Sequence, residues 1–343
     1  MDAVAVDRRR EANLAWFASE AERLARLCGE MAERFARGGR LLAIGDVSDA
    51  RHVAVEFVHP VIVGKRALPA LAVSARELEL LAEPDDMVIT FGAEVPDTPA
   101  LVIDLDPPVD DPFIRQELVE TAYHLLWELV HVFLEHRERT AHDTGAASFL
   151  YPFLGERESD DEAVVDDVRR SIAMKAEEIA ALRTQTLVEG HDALRAAAAA
   201  VRAGGRVLAL GNGGSATDAT DLVADLQRAG RPAIDLTADP AILTAIANDV
   251  GVEAIFARQV IAYGRPGDVL VSLSTSGGSA NVIAALVEAR RRGLVTIALV
   301  GYDGGRIAAE GLADHVVITR SQHIPRIQEA QASAYHVLCE LVA

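Results

Sequence analysis

The chain has 343 residues, half of them hydrophobic and only 5% aromatic, with a formal net charge of −19. That length allows two domains, and the acidity excludes nucleic acid or an anionic membrane as a general partner; the short runs Arg8–Arg10 and Arg290–Arg292 fit helix surfaces. Cys28 and Cys339 show neither CxxC nor zinc-finger spacing, residues 1–11 carry no apolar signal core, and no uncharged apolar run approaches the roughly 20 residues of a membrane span; a reduced, cytoplasmic protein is expected.

In chain order, Arg8 to Arg37 is helical by period, with Leu14, Phe17, Ala21, Leu24, Leu27, Met31 and Phe35 at three- and four-residue steps. Gly38-Gly39-Arg40 then leads through Leu41–Ile44 to Gly45. The same pattern returns 166 positions later, as Gly204-Gly205-Arg206, Val207–Leu210 and Gly211. A second match links Gln116–Val130 to Gln328–Val342, with Gln-Glu, Ala-Tyr-His and Glu-Leu-Val in common. The chain therefore reads as two copies of one α/β domain. The expected boundaries are residues 1–136 for the first copy, 137–162 for a polar linker and 163–343 for the second. The run Gly155–Glu162 reads as solvated. Trp16, Trp127 and Phe133 fall on helical apolar faces and read as core or interface. Val164 to Arg202 reads as one long amphipathic stretch that opens the second copy.

The second copy carries strand patterns near 206–210, 232–236, 268–273, 294–300 and 314–318, with helices between. Two of its strands run into glycine- and hydroxyl-rich turns. Leu210-Gly211-Asn212-Gly213-Gly214-Ser215 precedes a helix from Ala216 to Gln227. Ser274-Thr275-Ser276-Gly277-Gly278-Ser279 precedes another from Ala280 to Arg292. A strand, a tight turn and a helix N-terminus make an anion site, because N–H groups and the positive end of the helix dipole converge there. Two such turns at one sheet edge suit a phosphate monoester on a small polar molecule. The first copy is shorter by 46 positions between its opening strand and its closing helix. Its turns, Gly45–Asp49 and Thr90–Pro96, lack the glycine and serine clusters, and Asp46 and Asp49 stand where a phosphate would sit. Loss of phosphate binding is expected there.

Residues 165 to 343 resemble a SIS (sugar isomerase) domain and are similar, within that class, to the phosphoheptose isomerase family. The motifs are Gly211–Ser215, Ala247-Asn248-Asp249-Val250-Gly251, Ser274–Val282 and Arg326-Ile327-Gln328-Glu329. The resemblance implies tandem SIS-type domains, each a parallel sheet flanked by helices in a flavodoxin-like three-layer arrangement, with the first copy shortened. It implies sugar-phosphate contacts at Asn212, Gly213, Gly214, Asn248, Asp249, Ser274, Thr275, Ser276 and Ser279. Ser215 adds a hydroxyl at the first turn, and Gln328 joins this group. The resemblance also implies aldose–ketose isomerisation of a seven-carbon sugar phosphate such as sedoheptulose 7-phosphate, often with bound zinc. Its family assembles as dimers of dimers, so a homodimer of this chain would form a pseudo-tetramer of SIS domains.

The family's metal ligands are a His and a Glu four apart on one helix, plus a Gln and a His on the last. The first copy keeps all four, as His52, Glu56, Gln116 and His124. The second keeps Gln328 and His336 but has Asp221 and Asp225 for the first pair. A pair four apart shares one helix face, about 6 Å apart along the axis, and can share an ion. His and carboxylate suit zinc or another divalent metal, whereas Asp221 and Asp225 offer only oxygens and favour a harder ion or none. Gln116 and His124, ~12 Å apart along one helix, are near the limit for one ion. These residues also read as helix-surface or buried structural groups.

Isomerisation needs a base, an acid and a proton return. Asp225 and His336 are the candidate base and acid in the second copy. Glu56 and His124 would take those roles in a composite site on a substrate held by the second copy's turns. A non-catalytic sugar-phosphate-binding regulator or scaffold derived from such an enzyme is the alternative. Gly211–Ala216 also fits G-x-G-x-x-A, with Asp235 24 residues on. That match alone is weak, and no nucleotide cofactor is expected.

Overall fold

Each Gly-Gly-Arg run leads into the inner strand of a parallel sheet, and close packing explains the glycines. A Cβ on Gly39 would lie 2.1 Å from the Asp85 carbonyl oxygen, and one on Gly205 would lie 2.4 Å from Asp268 Oδ1. Each arginine then anchors an aspartate that opens the neighbouring strand. The Arg40 N–H and guanidinium donate to Asp86 at 2.8 and 2.6 Å; those of Arg206 donate to Asp268 at 2.9 and 2.8 Å. Burial pushes both carboxyls up, but these donors outweigh it and hold each below the usual range.

The computed structural model describes residues 3–61, 65–138 and 161–343. The chain divides into Asp7–Ala180 and a second unit made of Ala181–Ala343 with Met1–Val6. In the first, β1 (Leu41–Ile44), β2 (Ala70–Ala72), β3 (Met87–Thr90) and β4 (Leu101–Asp104) form a four-stranded parallel sheet in the order β2-β1-β3-β4. The helices are α1 (Ala3–Ala36), α2 (Val47–Val58), α3 (Ala75–Leu81) and α4 (Pro112–Glu138). Trp16, Trp127 and Phe133 are buried in its core.

In the second unit the strands are β5 (Val207–Leu210), β6 (Ala233–Asp235), β7 (Val269–Ser274), β8 (Val295–Gly301) and β9 (His315–Thr319). They form a five-stranded parallel sheet in the order β6-β5-β7-β8-β9. All five lie within one residue of their expected places. Both sheets share the order second-first-third-fourth, the flavodoxin-like pattern; among the described residues the shorter one has four strands. Helix α5 (Asp161–Glu189) contains the division between the units. It is followed by α6 (His191–Ala203), α7 (Gly214–Arg228), α8 (Pro240–Asp249), α9 (Ile255–Tyr263), α10 (Ala280–Arg291), α11 (Gly305–Ala309) and α12 (Ile324–Val342). Helix α12 packs on α6 and α7, while α9 packs on α8 and α10. Such two-sided cover is what fully buried parallel strands require.

Three expectations need correction or qualification. Val164 to Arg202 is two helices: the break is Gly190, where a Cβ would lie 2.8 Å from Val317 on β9. Arg9 is buried rather than on a helix surface, because Glu117 pairs with it at 3.0 Å. The expected linker lies almost wholly outside the described residues, which resume with α5 at Asp161.

Candidate functional site

In the second unit, β5 and β7 deliver two turns side by side. A Cβ on Gly211 would lie 2.1 Å from the Ser215 carbonyl oxygen, so only glycine closes the first turn; Gly213, at φ +58°, caps α7. In the second turn, Ser274 Oγ accepts from the Gly277 N–H and Ser276 Oγ accepts from the Gly278 N–H, each at 3.2 Å. Asn212 and Asn281 exchange amide hydrogen bonds of 3.0 and 2.8 Å, which ties the two turns together. The sequence reading missed Asn281 as a site residue, although it lies in a quoted motif. Neither α7 nor α10 has a side-chain cap, although Ser279 sits at the N-cap of α10. By contrast Asp239 caps α8 with bonds of 2.8 and 3.2 Å. Two uncapped N-termini at one sheet edge present positive dipole ends to an anion.

The first unit differs for a local reason. Asp46 Oδ1 accepts from the Ser48 N–H at 2.8 Å, so α2 is capped by its own carboxylate. The turn after β3 is followed by strand β4 with no helix between, so no second N-terminus exists there. Thr90 Oγ1 and the backbone of Ala93 bond each other instead.

Asn248 and Asp249 end α8. They are exposed, and Asn248 Nδ2 donates to Asp249 Oδ1 at 2.7 Å; among the described residues neither side chain bonds to the two turns. Asp235, the residue a dinucleotide reading would place on a ribose, accepts from the Thr237 N–H, Thr237 Oγ1 and Thr220 Oγ1 within 2.7 Å.

On α7, Asp221 and Asp225 share a buried face and meet His336 of α12. His336 Nε2 lies 3.7 Å from Asp221 Oδ2 and 3.7 Å from Asp225 Oδ2. Tyr335 donates to Asp221 Oδ2 at 2.9 Å, and Arg228 pairs with Asp225 Oδ1 at 2.7 Å. Gln328, also on α12, is buried.

The first unit repeats this arrangement with other side chains. His52 and Glu56 of α2 meet His124 of α4; His52 Nε2 lies 3.8 Å from Glu56 Oε1, and the two imidazole rings are 5.0 Å apart. Tyr123 Oη is 2.9 Å from His52 Nδ1. In each unit the donor atoms of three residues lie within 4.8 Å of one another and are buried, a set that fits a divalent ion. The Gln116 amide donates to Asp49 Oδ1 at 3.3 Å. Sequence reasoning passed over Tyr123, Tyr335 and Arg228. The repeated Ala-Tyr-His was the available signal, and it reads equally as packing.

Burial pushes His52 well below the ordinary imidazole range, and His124 adds to the shift. His52 is therefore neutral when folded but protonates in the unfolded chain below about pH 6.5. A lowered folded value contributes stability that is full above that pH and is lost as pH falls. The urea midpoint of metal-stripped protein is expected to drop between pH 7 and pH 5, and His52→Gln to flatten that drop. An unchanged pH profile in the variant would assign the effect to other groups.

A SIS-domain family model matches residues 175–301. The phosphoheptose isomerase of Roseiflexus sp. (strain RS-1) is 44% identical over 190 residues, which cover 53% of this chain and 88% of that protein. The phosphoheptose isomerase of Geobacter sp. (strain M21) is 41% identical over 185 residues, 52% of this chain and 95% of the other. Among solved structures, the C-terminal domain of glucosamine-fructose-6-phosphate aminotransferase from Francisella tularensis covers 98% of this chain and 93% of its own, with a TM-score of 0.62 at 11% identity, a likeness of fold. Because nearly the full length of such relatives is matched at over 40% identity, the chain belongs to the SIS-domain family as a relative of the phosphoheptose isomerases.

Proposed function

We propose that the chain is a sugar-phosphate aldose–ketose isomerase acting on a phosphorylated sugar such as sedoheptulose 7-phosphate, through an enediolate. One observation carries the reading: a single unit holds two adjoining turns on uncapped helix N-termini together with a buried Asp221–Asp225–His336 cluster. Each is what this chemistry requires, an anion cradle and an acid–base set.

The N–H groups of Gly213 and Gly214 at the mouth of α7, with the hydroxyls of Ser215, Thr275, Ser276 and Ser279, bind the phosphate. Asp225 takes a proton from the carbon beside the carbonyl and returns it to the neighbouring carbon. Arg228 pairs with its Oδ1 and leaves Oδ2 toward His336. His336 gives a proton to the carbonyl oxygen and receives one from the adjacent hydroxyl, so the exchange balances. A divalent ion held by Asp221, Asp225 and His336 would replace His336's proton with positive charge near the developing oxyanion, since a coordinated imidazole nitrogen has no proton to give.

Helix rise separates Ser215 from Asp225 by about 15 Å along α7. With contacts of about 3 Å at each end, an extended seven-carbon phosphate spans about that distance, so one substrate can meet both the turns and the acid–base cluster. From the family resemblance a homodimer is expected, and sedimentation is the check.

The test is turnover. Metal-stripped and zinc-, manganese- or iron-reconstituted protein is mixed with sedoheptulose 7-phosphate, and the aldose phosphate is followed by NMR with metal content measured on the same sample. Product formation is expected. Thermal stabilisation by the sugar phosphate without turnover in any metal state would instead make the chain a sugar-phosphate-binding regulator.

A further inference from the structure

The two units carry one arrangement with different donor atoms. In Asp7–Ala180 the buried set is two imidazoles and one carboxylate, from His52, His124 and Glu56. In the other unit it is one imidazole and two carboxylates, from His336, Asp221 and Asp225. One supporting contact is the same in both. The tyrosine preceding the α4 or α12 histidine bonds the first residue of the helical pair at 2.9 Å, Tyr123 on His52 Nδ1 and Tyr335 on Asp221 Oδ2. A hydroxyl on Nδ1 fixes the His52 ring and leaves Nε2 as its inward face, the role an outer partner plays for a metal-bound imidazole.

Spacing is close to what one ion needs. Donors about 2.1 Å from a common ion lie about 3.0–3.4 Å apart. The separations are 3.8 Å from His52 Nε2 to Glu56 Oε1 and 3.7 Å from His336 Nε2 to either aspartate. All donor atoms of each set lie within 4.8 Å of one another, so closing on one ion needs shifts of no more than about an ångström. With geometry held nearly constant, donor chemistry decides preference. Imidazole nitrogen suits zinc and its neighbours, and carboxylate oxygen suits manganese and magnesium. Zinc outranks manganese intrinsically at both sites, so the difference lies in the ratio of the two affinities.

We propose that the oxygen-rich set Asp221, Asp225 and His336 is a divalent-cation site that accepts manganese far more readily than the set His52, Glu56 and His124, where the family resemblance already implies zinc. The proposal rests on the metal reading of the two clusters and is independent of turnover.

The experiment titrates metal-stripped full-length protein with zinc and, separately, manganese. Bound metal is counted by mass spectrometry, affinities come from calorimetry, and manganese is also followed by electron paramagnetic resonance. Two ions per chain are expected, with the zinc-to-manganese affinity ratio at least tenfold larger at one site than at the other. His52→Ala removes the high-ratio site and Asp221→Ala removes the low-ratio one. Asp221→His raises the zinc ratio of the second site toward that of the first, a gain that misfolding does not mimic; circular dichroism checks each variant. One site or none, equal ratios, or an unaltered ratio in Asp221→His overturns the proposal. Turnover that persists without bound metal would leave the isomerase reading standing while this one falls.

Discussion

Asp225→Asn is expected to lower turnover of sedoheptulose 7-phosphate by about 10²–10⁴-fold, the usual contribution of a positioned general base. The substitution keeps the shape of the side chain and removes its basicity. Its ion pair with Arg228 is largely solvent-exposed on the arginine side, so loss of that pair costs little stability. The thermal midpoint should therefore stay nearly constant while kcat falls, and KM should move by no more than a few-fold, since the phosphate is held elsewhere. His336→Gln should fall comparably, because acid and base act in one proton exchange. Glu56→Gln is the informative control. If Glu56 rather than Asp225 is the base, the large loss appears there and Asp225→Asn stays near the parent rate. Loss in neither variant would remove both carboxylates from the reaction.

Gly211→Ala should abolish sugar-phosphate binding and lower stability by roughly 2–3 kcal/mol. The added Cβ would sit 2.1 Å from a backbone oxygen, that of Ser215, and 2.4 Å from its carbonyl carbon. Backbone cannot rotate away as a side chain can, so the turn must open. Opening displaces the first residues of α7, whose N–H groups are the proposed phosphate ligands, and strains the Asn212–Asn281 bond to the second turn. A ligand at 100 times its dissociation constant stabilises a protein by about 2.7 kcal/mol. That shift should be present in the parent and absent in the variant at equal ligand concentration. Gly230→Ala is the matched control. Gly230 has φ +73° and nothing within 4 Å of a Cβ, so it should lose stability while keeping the full ligand shift. A retained shift in Gly211→Ala would mean that the phosphate binds elsewhere.

Much of this protein was legible in its sequence, and the reason is local. Strand and turn positions follow from short apolar runs ending in glycine, whose conformational demands are set by immediate neighbours. The five strands of the second unit were each placed within a residue for that reason. The same holds for the paired Gly-Gly-Arg runs, for the helical period of α1, and for the resemblance to a SIS domain. The Gly190 break had a local signal, a glycine inside a helical pattern, but the apolar period runs through it; a Cβ there would lie 2.8 Å from both the Thr186 carbonyl oxygen and Val317 on β9. Arg9 escaped for a non-local reason, since Glu117 lies 108 positions away.

The candidate site divides the same way. The i, i+4 pairs His52–Glu56 and Asp221–Asp225 were picked out by the family resemblance, and spacing puts each on one helix face whatever surrounds it. Which histidine meets each pair, that a tyrosine holds the first member, and that Gln116 turns to Asp49 are tertiary outcomes. So is the contrast between the self-capped α2 and the uncapped α7 and α10. The sequence by itself determined the SIS-type α/β fold, the glycine turns and the residue types on each helix face, because these depend on contacts within a few residues. Only the tertiary structure decided which donors converge and which helix ends are left for a ligand, because those depend on separate helices being brought together.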